Sequence, residues 1–186
     1  MCGSCLDMNS GRKATVTVKT DNFKHKPTKA ISIGGWFYLQ STRGVHSLVS
    51  VPESLDKWTI LDLNIKGARL EWRGYDKDNH EIFNIATAQS VVPEGVWVHI
   101  LATFDSVKGH AKLFIDGQQK ALVETAKEQL LSEDWNEVKI GSLSGGYVDE
   151  FVMYNWELER SEVLYIMKYC PDHPKLVSFT VHVPLK

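Results

Sequence analysis

Residues 97–117, WVHILATFDSVKGHAKLFIDG, decide the fold. The first half places Val98, Ile100, Ala102 and Phe104 on one side of an extended strand, with Trp97, His99, Leu101 and Thr103 on the other. In the second half Ala111, Leu113 and Ile115 alternate with Lys112, Phe114 and Asp116. The SVKG between them is rich in turn formers, and Asp116-Gly117 closes the second run with another turn signal. A helix would need apolar residues at three- and four-residue steps, and Gly109 interrupts any such pattern. The period of two predicts a hairpin with both faces partly covered, as in one layer of a sandwich.

The same period extends in both directions. Upstream, strands are expected over residues 14–19, 30–40, 45–51, 57–65, 68–75 and 81–89, with Gly34-Gly35 marking a bulge or a close backbone approach. Downstream, QQKALVE, EVKIG (137–141) and GYVDEFVMY (146–154) read as further strands, and AKEQLLSEDWNE as a loop with a helical turn. Only in LERSEVLYIMKY (158–169) does the spacing change, with Leu158, Val163, Ile166 and Met167 on one side of a short amphipathic helix. Residues 176–183, LVSFTVHV, alternate again. An unpaired apolar edge invites aggregation, so this strand is expected to dock on the sandwich or on a neighbouring domain. Many short strands at regular spacing and one late helix predict an all-β, two-sheet antiparallel sandwich.

The chain has 186 residues, enough for one domain with a core that needs no metal or disulfide staple. With 43% hydrophobic and 24% charged residues it has the composition of a soluble globular protein. A net charge of −2, with both signs interspersed, supplies no basic stripe for nucleic acid and no polybasic membrane patch. No apolar run approaches the roughly 20 residues of a membrane span. The start, MCGSCLDMNSGRK, lacks the apolar core of a signal peptide, so a secreted origin would make this chain a mature fragment or an excised part of a larger multidomain protein. Cys2, Cys5 and Cys170 sit at the two ends. A zinc site of Cys2, Cys5, Cys170 and His173 is arithmetically open. The reading preferred is a disulfide from one terminal cysteine, Cys5, to Cys170 in an oxidising compartment.

Residues 95–169 resemble the laminin G-like, concanavalin A-like jelly-roll family, in its pentraxin-related branch. The residues that carry the resemblance are Trp97-Val98-His99, Phe104-Asp105, Leu113-Phe114-Ile115-Asp116-Gly117, Ile140-Gly141, Val148-Asp149-Glu150-Phe151, Tyr154, Leu158 and Glu162-Val163. Residues 31–39 are similar to the family's early strand with an inward Trp, so the recognisable core spans about 30–169. Residues 1–13 and the strand 176–183 lie outside it. The resemblance implies a jelly roll of one concave and one convex sheet. It also implies an extracellular role in binding proteins, glycans or glycosaminoglycans, often with calcium at the rim; other branches are glycosidases.

Glycoside hydrolysis needs two carboxyl groups facing one cleft. Asp149 and Glu150 are adjacent and so face opposite ways on a strand, while Glu157 and Glu159 fall in the turn before the helix. The chain is therefore read as non-enzymatic, with glycoside hydrolase as the remote alternative. Calcium needs six to eight oxygen ligands. Asp105, Asp149 and Glu150, with Asp116, are the expected rim ligands, although turn capping explains the same residues. Asp76-Lys77-Asp78-Asn79 resembles a calcium loop only in its first positions. A sugar site pairs an aromatic ring with polar donors and acceptors, and Trp58, Asp62, Asn64, Arg69, Trp72, Arg73 and Tyr75 supply that chemistry. Trp36 and Trp97 are assigned to the core, His99 to a structural role, and Lys24-His25-Lys26 with Lys29 to a solvated basic loop. A protein partner is ranked just ahead of a calcium-dependent or calcium-free glycan.

Overall fold

The computed structural model describes residues 5–9, 14–19, 26–55 and 57–168. Among them, twelve strands and one helix follow in order: β1 Leu6–Asp7, β2 Thr15–Lys19, β3 Ala30–Leu39, β4 Val45–Pro52, β5 Thr59–Lys66, β6 Arg69–Tyr75, β7 Glu81–Ala86, β8 Trp97–Asp105, β9 His110–Ile115, β10 Gln118–Glu124, β11 Glu137–Gly141, β12 Gly146–Tyr154 and α1 Arg160–Lys168. They form two six-stranded sheets, β1-β12-β3-β8-β9-β10 (sheet A) and β2-β11-β4-β5-β6-β7 (sheet B), with every pairing antiparallel. This is the two-sheet antiparallel sandwich that the alternation predicts, and it is consistent with the jelly roll that the resemblance implies. Two elements differ from expectation: β1 is too short to register as a pattern, and the segment before β11 contains no helical turn. Cys2, Lys24, His25, Cys170, His173 and the strand expected at 176–183 lie outside the described residues.

The opening hairpin is β8–β9, in register from Ile100↔Ile115 to Asp105↔His110. Asp105 shapes its turn by accepting the N–H groups of Val107 and Lys108, each at 2.9 Å. The β9–β10 turn is tighter. Asp116 (φ 49°) and Gly117 (φ 71°) both take the left-handed conformation that a two-residue hairpin demands, and Asp-Gly supplies it at low cost.

Between the sheets, Ile31, Ile33, Phe37, Val98, Ile100 and Phe104 of sheet A meet Val51, Leu61, Leu63, Ile65, Leu70 and Trp72 of sheet B, all essentially without solvent exposure. Three rings bridge the layers: Trp72 lies 5.4 Å from Phe83, and Phe83 lies 4.9 Å from Phe104. Gly34 marks a close approach, because a Cβ there would stand 2.0 Å from the Ile100 carbonyl oxygen. The bulge that accompanies it sits on the neighbouring strand, between Asp149 and Val152 of β12.

A second, smaller cluster lies on the outer face of sheet A. Leu101, Phe114, Val152 and Tyr154 point away from the sandwich and are covered by Leu158, Val163 and Ile166 of α1 and its approach. Ser32 ties that approach down, donating to the Trp156 carbonyl and accepting from the Leu158 N–H, both at 2.8 Å. Glu162 accepts the Glu159 N–H at 2.7 Å, one half of a capping box. The helix runs from the β8–β9 turn toward the β9–β10 turn, where Leu164 and Met167 crowd Gly117.

Candidate functional site

The residues expected to hold a sugar fall mostly on the outer face of sheet B. Strand alternation turns Leu61, Leu63 and Ile65 of β5 and Leu70 and Trp72 of β6 inward, which leaves Asp62, Asn64, Arg69, Glu71, Arg73 and Tyr75 facing out. Register then assembles them. One row reads Ser50, Asp62, Arg73, Asn84 across β4 to β7, and the next pairs Asn64 with Glu71. Asn64 Nδ2 donates to Asp62, and Arg73 donates to Glu71 at 3.1 Å. Asn64 Oδ1 and Arg73 Nε are buried beneath this face and make no hydrogen bond within the protein. Arg73 has 38% of its side chain exposed, against 15% for Glu71. Burial pushes the Asp62 carboxyl above its ordinary value, against the lowering effects of the Asn64 hydrogen bond and the Arg73 charge. At one end of the face Trp58, half-buried and packed in part against the core, meets Tyr75 edge-on, with ring centres 6.4 Å apart.

Trp72 is a correction. Its side chain is wholly buried between the sheets and reaches neither solvent nor a ligand, because position 72 shares the inward parity of Leu70. Trp36 and Trp97 are corrections in the other direction. Both are half-buried and lie outside the two hydrophobic clusters, on the outer face of sheet A. There Tyr147, Tyr38 and Trp97 are direct register partners on β12, β3 and β8, and their ring centres stand 5.7, 5.9 and 6.3 Å apart in a triangle. The next row is Asp149, Trp36 and His99, with Trp36 edge-on to His99 at 5.4 Å. His99 is buried, and its backbone N–H donates to Asp116 at 2.9 Å; burial pushes its imidazole down to about 4. The structural reading of His99 agrees with this placement.

At the far end of the same face, Glu157 is the hub of a buried ion cluster. Lys108 Nζ reaches it at 2.7 Å, His110 Nε2 and Lys112 Nζ at 2.8 Å each, and Thr103 Oγ1 at 3.4 Å. Burial alone would raise its carboxyl, but the hydrogen bonds from Lys108, Lys112 and His110 outweigh that and hold it below the usual value. Lys108, which also bonds Glu159, is held well above its ordinary value by those two carboxylates.

A model of the concanavalin A-like lectin/glucanases superfamily, Laminin_G_3, matches residues 10–164. The chain belongs to this family. The laminin G-type sandwich is similar to the receptor-binding domain of botulinum neurotoxin D, with a TM-score of 0.65 and 14% identity over 84% of this chain and 42% of that one. It is similar also to the binding domain of botulinum neurotoxin serotype G, with a TM-score of 0.64 and 16% identity over 82% of this chain and 39% of that one. A serotype D ligand-binding domain solved in complex with N-acetylneuraminic acid aligns with a TM-score of 0.64 and 14% identity, over 85% of this chain and 40% of its own. The laminin G-type chain thus spans about two fifths of the length of these structures. No curated protein matches it.

The expected calcium ligands of the laminin G-type chain do not converge. Asp105 pairs with Ala30 and Asp149 with Trp36, which separates them by roughly 20 Å along β3. Asp149 accepts the N–H of Glu150, which occupies the bulge at φ 48°, and Asp116 serves His99. Asp76, Asp78 and His80 do bring ligand atoms within 4.8 Å of one another. Asp76 is engaged there by the N–H groups of Asp78 and His80, at 2.9 and 2.8 Å, so it braces the β6–β7 turn. Of the basic loop, Lys26 donates to the Glu133 carbonyl at 2.8 Å and lies over the Trp135 ring. The Glu157 cluster and the aromatic triangle were missed by motif reading. The signal for the first was present as Lys108, His110 and Lys112, spaced by two, ahead of Glu157 and Glu159. The second was visible in the parity that separates Trp97 from Val98 and Ile100.

Proposed function

We propose that this laminin G-type domain is a non-catalytic extracellular recognition module that holds a glycan on the outer face of sheet B. The observation that carries the reading is the outward lattice of Asp62, Asn64, Glu71 and Arg73, in which Arg73 keeps 38% of its side chain exposed, bounded by the Trp58–Tyr75 pair. Carboxylate, amide and guanidinium groups alternate across adjacent strands about 4.8 Å apart, a spacing on which neighbouring sugar hydroxyls find donors and acceptors in turn. An aromatic edge at the end of the row gives the apolar face of a pyranose somewhere to pack. Asp62 and Glu71 are diagonal neighbours with Asn64 and Arg73 bonded to them, an arrangement suited to holding hydroxyls rather than to an acid and a nucleophile facing one cleft.

A glycan array probed with the purified chain, with and without added calcium, tests this. Binding is expected to fall at least tenfold in Arg73→Ala and in Trp58→Ala. Silence of the array under both conditions, or binding indifferent to both substitutions, would overturn the site. Sugar release from a polysaccharide panel, abolished in Asp62→Asn, would overturn the non-catalytic reading.

A further inference from the structure

Alpha-helix α1 and its approach cover Leu101, Phe114, Val152 and Tyr154 on the outer face of sheet A, and the aromatic triangle lies beyond them on the same face. Tyr38, Trp97 and Tyr147 belong to neither hydrophobic cluster and remain half-buried. We propose that they form, with Asp149, a docking surface for a basic peptide segment of a partner protein.

Two features commit the surface to that occupant. The first is charge. The row through the triangle reads Asp7, Tyr147, Tyr38, Trp97, and the row beside it Asp149, Trp36, His99; carboxylates flank the rings and no lysine or arginine stands in either row. Aromatic faces next to carboxylates attract guanidinium and ammonium groups, and Tyr and Trp are the residues that most often anchor protein interfaces. The second is shape. The rings are mutually inclined by 61°, 61° and 37°, so they present a knot of edges and faces. A flexible Arg or Lys side chain can lay its apolar stem across such rings and set its charged end beside the carboxylates.

The test uses the full chain and an arrayed library of short random peptides. Retained peptides are expected to be enriched in Arg and Lys over Asp and Glu. Their binding should weaken at least tenfold in Trp97→Ala and severalfold in Asp149→Asn, with a shallower salt dependence in the latter. Trp97→Phe, which keeps the ring, should retain most of the binding, and glycan binding at sheet B should be unchanged in Trp97→Ala. Retention of acidic peptides only, of none, or of peptides that bind Trp97→Ala equally well would overturn the proposal. So would three outcomes that name other occupants. These are a glycan lost in Trp97→Ala, a concentration-dependent dimer that dissociates in Trp97→Ala, and peptide binding seen only after removal of residues 169–186.

Discussion

Replacing Trp72 by alanine would empty the position of one of the two largest wholly buried side chains among the described residues. The expected cost is about 3–5 kcal/mol, from lost transfer energy and the cavity left against Phe83. Trp97→Ala, on a half-exposed face, should cost no more than about 1.5 kcal/mol, the scale of the aromatic pairing it loses. Denaturant midpoints of the two variants check the contrast, and equal losses would contradict the placement of the two indoles. At Gly34 the constraint is steric: an alanine Cβ would collide with the Ile100 carbonyl in the middle of the β3–β8 pairing. Gly34→Ala should therefore destabilise by at least about 2 kcal/mol, read in the same way. Alternation located both tryptophans on their strands but could not say which parity faced the core. On β8 the two parities are almost equally apolar, Val98, Ile100, Ala102 and Phe104 against Trp97 and Leu101, because a helix distant in sequence covers part of the outer one.

At the scale of elements, α1 is held by an apolar face and by one charged hub. Removing the carboxylate in Glu157→Ala would leave Lys108, His110 and Lys112 clustered without their common partner, two of them largely buried. A loss of about 3 kcal/mol is expected, since an uncompensated buried charge costs more than the pair contributed. Loosening of the helix should appear as faster amide exchange in residues 160–168, with β4–β6 protected as before. The sign of the pH effect follows from the lowered carboxyl of Glu157. Its contribution is present above the ordinary carboxylate value of 4.5 and is lost as the pH falls below it. Glu157→Gln should therefore flatten the acid limb of the stability curve relative to the parent chain. The helix itself was legible in residues 158–169, because Val163, Ile166 and Met167 recur at helical spacing. Its ion cluster left only a partial trace, the two-residue spacing of Lys108, His110 and Lys112, because Glu157 and Lys108 are 49 residues apart and meet only when α1 folds back over β9.

Across the whole molecule, acid should act before the carboxylates titrate. His99 is kept neutral by burial, with its imidazole near 4 in the folded chain against 6.5 when free. Between those values the unfolded chain binds the extra proton, so stability should fall as the pH drops from 6.5 toward 4, by roughly 3 kcal/mol. Thermal midpoints across that window check it, and His99→Gln should remove the slope. Asp62, raised by burial, works in the opposite sense, because its carboxyl takes up a proton in the folded chain before it does in the unfolded one. The sequence by itself determined the strand periods, the Asp116-Gly117 turn, the helix and the all-β class, since each rests on residues close in the chain whose propensity and spacing act locally. The tertiary structure alone decided the faces. It put Trp72 inside and Trp97 outside, kept Asp105 from Asp149, and joined Asp62, Asn64, Glu71 and Arg73 into one lattice. Those outcomes depend on the register between strands and on which sheet covers which, and only the packed sandwich sets these.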